Sequence, residues 1–147
     1  MKTIDWQEMV ATSHLDTLLA AKRLLDEKEY EEAQTALDVL YNSMANSERR
    51  ALNSQLIRLM THILKWRYQP DRRSTSWVRT IVNARQEIRS LQEYTPSFTR
   101  EYMEALWRRN QEAATAEAKA EMNLSRNDNF EPETITWDQA FTDEYLL

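Results

Sequence analysis

At 147 residues and 17.5 kDa, with 41% hydrophobic and 29% charged side chains and a mean hydropathy of −0.75, the chain is long enough to bury a core, yet no run approaches the roughly 18 apolar residues of a membrane span. Zero cysteines exclude disulfides, thiolate nucleophiles and zinc-finger-type sites, and zero glycines exclude the phosphate-cradling loops of P-loop and dinucleotide-binding enzymes. The net charge of −5 is unevenly spread: residues 1–44 carry −5, residues 45–100 carry +7 and residues 101–147 carry −7.

The opening MKTIDWQEMV has neither the apolar stretch nor the cleavage site of a secretory signal, so a reducing cytoplasm is the expected compartment. A first helix is expected within residues 4–28, with Leu15, Leu18, Leu19 and Leu25 as its apolar face. A second is expected over residues 30–44, with Tyr30, Ala33, Leu37, Leu40, Tyr41 and Met44 at helical spacing. Asn46 or Ser47 then reads as the cap of a third helix, with Glu48 in its first turn. That helix has the clearest stripe: Leu52, Leu56, Leu59, Met60, Ile63 and Trp66 fall within about 120° on a 3.6-residue wheel. Pro70 ends it, because proline disfavours helix in the residue before it.

A fourth helix starts near residues 74–76 and presents Trp77, Ile81, Ala84, Ile88 and Leu91 on one face. Pro96 then reads as the first residue of a fifth helix, capped by Thr95 and running through the Ala- and Glu-rich EYMEALWRRNQEAATAEAKAEM. Without glycine, Asn is the expected left-handed residue at helix ends. The acidic tail from Ser125 is polar and irregular until Trp137, Phe141 and Tyr145, whose spacing predicts a short terminal helix packing back on the body. The expectation is one all-α domain spanning residues 1–147: a helical bundle of about five main helices plus a short C-terminal one.

On the wheel, Arg58, His62 and Lys65 form a ridge beside the third helix's apolar stripe. Arg85 and Arg89 sit one turn apart on the fourth helix, and Arg72 and Arg73 lie in the turn between. A short turn favours adjacent packing, so these seven residues are the expected binding patch, with Trp66, Tyr68 and Trp77 as aromatic neighbours. Arg67 falls on the buried stripe if the helix runs on, which requires a partner; Glu48 and Asp71 are the local candidates.

The run SERRALNSQLIRLMTHILKWRYQPDRRSTSW resembles the central signature of the bacterial family called domain of unknown function 29. The matching elements are Ser47, Glu48, Arg50, Leu52, His62, Leu64, Lys65, Trp66, Gln69, Pro70, Arg72, Arg73, Ser76 and Trp77. The ending is similar at Phe130, Pro132, Trp137, Asp143 and Tyr145, and the likeness runs from about Leu24 onward. It departs from the family pattern ahead of Ser47, where DVLYNSMAN replaces a glutamate cluster and a glycine. The resemblance implies a helical bundle and brings no activity with it.

Three functions remain at this point. A non-enzymatic helical adaptor would bind a protein partner through the basic patch or an exposed aromatic groove. A nucleic-acid-associated protein would place the same cations on phosphates. An enzyme would centre on His62, the one candidate for acid–base work, whose pKa Arg58 and Lys65 would lower. No spacing suggests a metal site or a cofactor, and no feature sets the oligomeric state.

Overall fold

A computed structural model describes residues 4–125 and 127–147; Met1, Lys2 and Thr3 of the N-terminal run and Arg126 lie outside the description. All regular structure among the described residues is helical: α1 (Trp6–Thr12), α2 (His14–Asp26), α3 (Tyr30–Tyr68), a 3-10 turn (Pro70–Arg72), α4 (Thr75–Tyr94), α5 (Arg100–Ala105), α6 (Trp107–Glu121) and α7 (Trp137–Phe141). The all-α expectation holds; the boundaries differ in four places. The chain divides into two compact units, one ending at Arg50 and the other beginning at Ala51.

In the first unit, Ser13 splits the expected single helix into α1 and α2. Its extended backbone (φ −157°, ψ 118°) lets its own N–H donate to the Met9 carbonyl while its hydroxyl accepts from the Asp16 N–H, so one residue closes one helix and opens the next. The apolar face that the spacing marks is not the buried face of α2. Thr17 and Ala21 are buried, Ala20 and Leu24 partly so, whereas Leu15, Leu18, Leu19 and Leu25 face solvent. Packing uses small side chains: Trp6 lies against Ala21 and Ala36, and its indole Nε1 donates to Glu32 at 2.6 Å. Of the second helix's expected apolar positions Ala33 and Leu40 are buried, joined by Ala36, whereas Tyr30, Tyr41 and Met44 are exposed.

The second and third predicted helices are one, α3. Neither proline nor glycine interrupts residues 30–68, and Asn46 and Ser47 inside a helix cost well under about 1 kcal/mol each, too little to stop it.

In the second unit the stripe of α3 is buried as read: Leu52, Leu56, Leu59, Met60, Ile63 and Trp66, joined by Leu64. Ile81, Ala84 and Ile88 of α4 pack against it. Ser74 caps α4 by accepting from the Trp77 N–H. Pro96 does not start a helix. It occupies a turn closed by Phe98 N–H donating to the Thr95 carbonyl at 2.9 Å, which drives Phe98 into the core, and Thr99 caps α5 instead. The expected fifth helix breaks at Leu106, immediately before Trp107, whose indole Nε1 donates to the Ile135 carbonyl at 2.7 Å.

That bond belongs to a set that fixes the C-terminal segment. The Gln111 side-chain amide donates to Glu133 O and accepts from Ile135 N–H, pairing with extended backbone as a neighbouring strand would. Thr136 and Gln139 then form a capping box at the start of α7, and Ile135 and Ala140 are buried in the core. Trp137 and Phe141 stack against Trp107.

Candidate functional site

The central cations divide by what holds them. Arg85 projects from α4 toward the C-terminal segment, where its Nε donates to Ala140 O at 2.6 Å and its Nη2 to Gln139 O and Asp143 O. The guanidinium also lies over the Tyr145 ring, 5.5 Å from its centroid. Arg73 donates from Nε to Trp66 O at 2.9 Å and stacks on the Trp66 indole. Arg67 does have partners, but not Glu48 or Asp71: it reaches Glu133 O and Gln139 Oε1, and it lies over Tyr68. The helix therefore extends through Arg67 because α7 and the strand-like run before it supply acceptors more than sixty residues away.

Lys65 is mostly buried, paired with Glu121 at 3.3 Å and resting on the Trp77 ring. Arg58, Arg72 and Arg89 are exposed. Of the seven expected patch residues, then, Lys65, Arg73 and Arg85 are engaged within the unit, and three arginines present their charge to solvent. The aromatic neighbours are likewise structural: Trp66 meets Tyr145 edge-on at 5.4 Å and Tyr68 meets Phe130 at 5.0 Å.

His62 is half-buried. Its Nδ1 lies 2.9 Å from the Arg58 carbonyl one turn back, which fixes the neutral ring with Nδ1 as donor. Burial is the chief cause of its lowered pKa; Lys65 and Arg58 push the same way, while the Arg58 carbonyl and Glu121 oppose them. The direction is the one the neighbouring cations suggested, but desolvation dominates. The bond that orients the imidazole goes to backbone, and among the described residues no carboxylate is hydrogen-bonded to the ring. Among the described residues there is no group of three or more His, Asp or Glu side chains placed to hold a metal ion.

Two concave or apolar surfaces stand apart from these cations. A groove of about 550 Å³ runs between α6 and residues 130–134, with Trp107, Phe130 and Pro132 beside Glu104, Glu112 and Glu131. Glu104 and Glu112 are bound to Arg100 and Arg108 one turn away. The other surface is the outer side of α2, where Leu15 is 65% exposed, Leu19 49%, Leu25 44% and Leu18 39%. At about 100° per residue these leucines share one side of the helix with Lys22 and Asp26, and Asp16 and Arg23 border it.

Sequence reading missed Gln111 and Gln139, the two amides that organise the C-terminal segment. Gln139 had a local signal, the Thr-x-x-Gln spacing of a capping box from Thr136. Gln111 had none, because its partners are set only by the fold.

No curated protein and no solved structure matches the chain. One family model does, over residues 22–146, which takes in α3 to α7, the arginine-anchored C-terminal segment and only the last part of α2, from Lys22. The family is described as Domain of unknown function DUF29. The chain belongs to that family.

Proposed function

We propose that this chain is a non-enzymatic helical interaction protein, working in the cytoplasm, that docks a protein partner on the outer face of α2. One observation carries the reading: four leucines of a thirteen-residue helix face solvent while alanine and threonine of the same helix fill the core. Burying apolar area is the main gain available to an association, and a contiguous leucine side is where that gain is concentrated. The engaged state of Lys65, Arg73 and Arg85 and the backbone-bound imidazole of His62 support this reading over an enzyme or a dedicated phosphate grip.

Affinity capture from the native cell at low and moderate salt, with bound protein and nucleic acid both identified, tests it. Leu15→Glu together with Leu19→Glu should remove the bound protein while the helical circular dichroism is unchanged. Retention of that protein by the double variant defeats the proposal.

The polyanion reading keeps one support, the exposure of Arg58, Arg72 and Arg89. It requires captured nucleic acid whose retention falls steeply with salt and is lost in Arg72→Glu with Arg89→Glu, helical content being kept.

A further inference from the structure

The outer side of α2 has a charge order as well as an apolar one, and the order is complementary to itself. Viewed along the helix, Leu18 and Leu25 lie on one flank, Leu15, Leu19 and Lys22 run down the middle, and Asp16 and Arg23 lie on the other flank. Asp16 is in the first turn and Arg23 in the last, and both are exposed. We infer that the partner on this face is a second copy of the chain, its α2 set antiparallel against the first. This rests on the interaction reading above and names its occupant.

Antiparallel pairing about the middle of α2 brings like flanks together. On one side Leu18 and Leu25 of the two copies then share one apolar flank, within about a helical turn of each other along the axis. Asp16 meets Arg23, and Arg23 meets Asp16, on the other. The two Leu19 side chains approach across the axis, and the aliphatic stem of each Lys22 covers its neighbour while the ammonium reaches solvent. A parallel pair would instead set the flank of Asp16 and Arg23 in each copy against the leucine flank of the other, leaving both charges unpaired against apolar side chains, so charge selects the antiparallel arrangement. The reversed helix dipoles agree with that choice.

The interface has a definite size class. Two helices of thirteen residues bury less than the roughly 1,200 Å² at which stable associations begin, so the pair is weak and reversible, formed at micromolar concentrations and above. Isologous twofold contact closes on itself and stops at two copies.

Sedimentation equilibrium of the full chain, from low to high micromolar concentration, should show a monomer–dimer equilibrium with no larger species. Leu18→Glu should weaken dimerisation by at least about tenfold, since an apolar contact is lost twice and replaced by a desolvated charge. Asp16→Lys alone and Arg23→Glu alone should each weaken it by about tenfold, and the two combined in one chain should restore it, because the swap recreates both pairs. Circular dichroism checks that each variant keeps its helices. A chain that stays monomeric throughout, or charge reversals that leave the equilibrium unmoved, overturns the self-pairing. If the wild type is monomeric and yet loses a captured foreign protein on Leu15→Glu with Leu19→Glu, self-pairing fails and the interaction function stands.

Discussion

Arg85 shows how a single cation can organise a segment fifty residues away. Its planar fork donates to the carbonyls of Gln139, Ala140 and Asp143 together, and the Tyr145 hydroxyl shares the Gln139 carbonyl with it. Removing the fork by Arg85→Met should cost roughly 2–4 kcal/mol, because charge-assisted bonds are lost and the part-buried Ala140 carbonyl loses its guanidinium donor. Urea denaturation followed by tryptophan fluorescence measures it. Arg85→Lys should recover only part, since an ammonium cannot address three carbonyls from one plane. A change below about 0.5 kcal/mol would mean that water replaces the guanidinium without penalty. The sequence marks Arg85 as functional for its place beside a basic run; its acceptors are backbone carbonyls, which leave no trace in side-chain identity. Arg67 was the more legible residue. Its place on an apolar stripe demanded a partner, and only the partner's identity was out of reach.

At the scale of elements, α3 and α2 show two limits on pattern reading. The stripe from Leu52 to Trp66 was legible because large apolar side chains at a 3.6-residue period have one sensible destination. The join at residues 45–47 was not, because Asn and Ser are good caps and also tolerable helix residues, and the choice falls to the surrounding helix. The sign of one substitution separates the two roles. If Asn46 capped a helix, Asn46→Ala would destabilise by about 1 kcal/mol. Inside the continuous α3, where Asn46 is exposed, it should stabilise by a few tenths of a kcal/mol, read as a rise in thermal midpoint. In α2 the pattern itself misleads: leucines at helical spacing announce an apolar face but do not say whether that face meets its own chain or another. The small residues Thr17, Ala20 and Ala21 won the interior because they allow closer helix approach.

For the molecule as a whole, composition set the fold class correctly and charge set the function only loosely. The excess of cations in residues 45–100 is real, but much of it is used between α3, α4, α6 and the C-terminal segment. Stability of the whole should also respond to acid through His62. Its folded pKa lies below the ordinary 6.5, mainly because it is buried. Above about pH 6.5 the ring is neutral folded or unfolded, and its contribution is complete. As pH falls below that value the unfolded chain takes up the proton first, so acid favours unfolding until the folded pKa is also passed. The urea midpoint should therefore drop between about pH 7.5 and pH 5, and drop less in His62→Gln. Equal slopes for the two proteins would place the acid sensitivity elsewhere.

Two helices end on residues with positive φ, Lys28 at 61° and Asn123 at 59°. Both corners are closed in the same manner: Glu29 N–H to Leu24 O and Lys28 N–H to Leu25 O, then Leu124 N–H to Lys119 O and Asn123 N–H to Ala120 O. Asparagine tolerates this conformation and lysine does so with strain of about 1 kcal/mol. Against that local penalty stands a gain in the disordered state. A chain of 147 residues without glycine has a narrower unfolded ensemble than an ordinary chain, so less backbone freedom is surrendered on folding. Two cramped corners are the conformational counterpart of that stiffness.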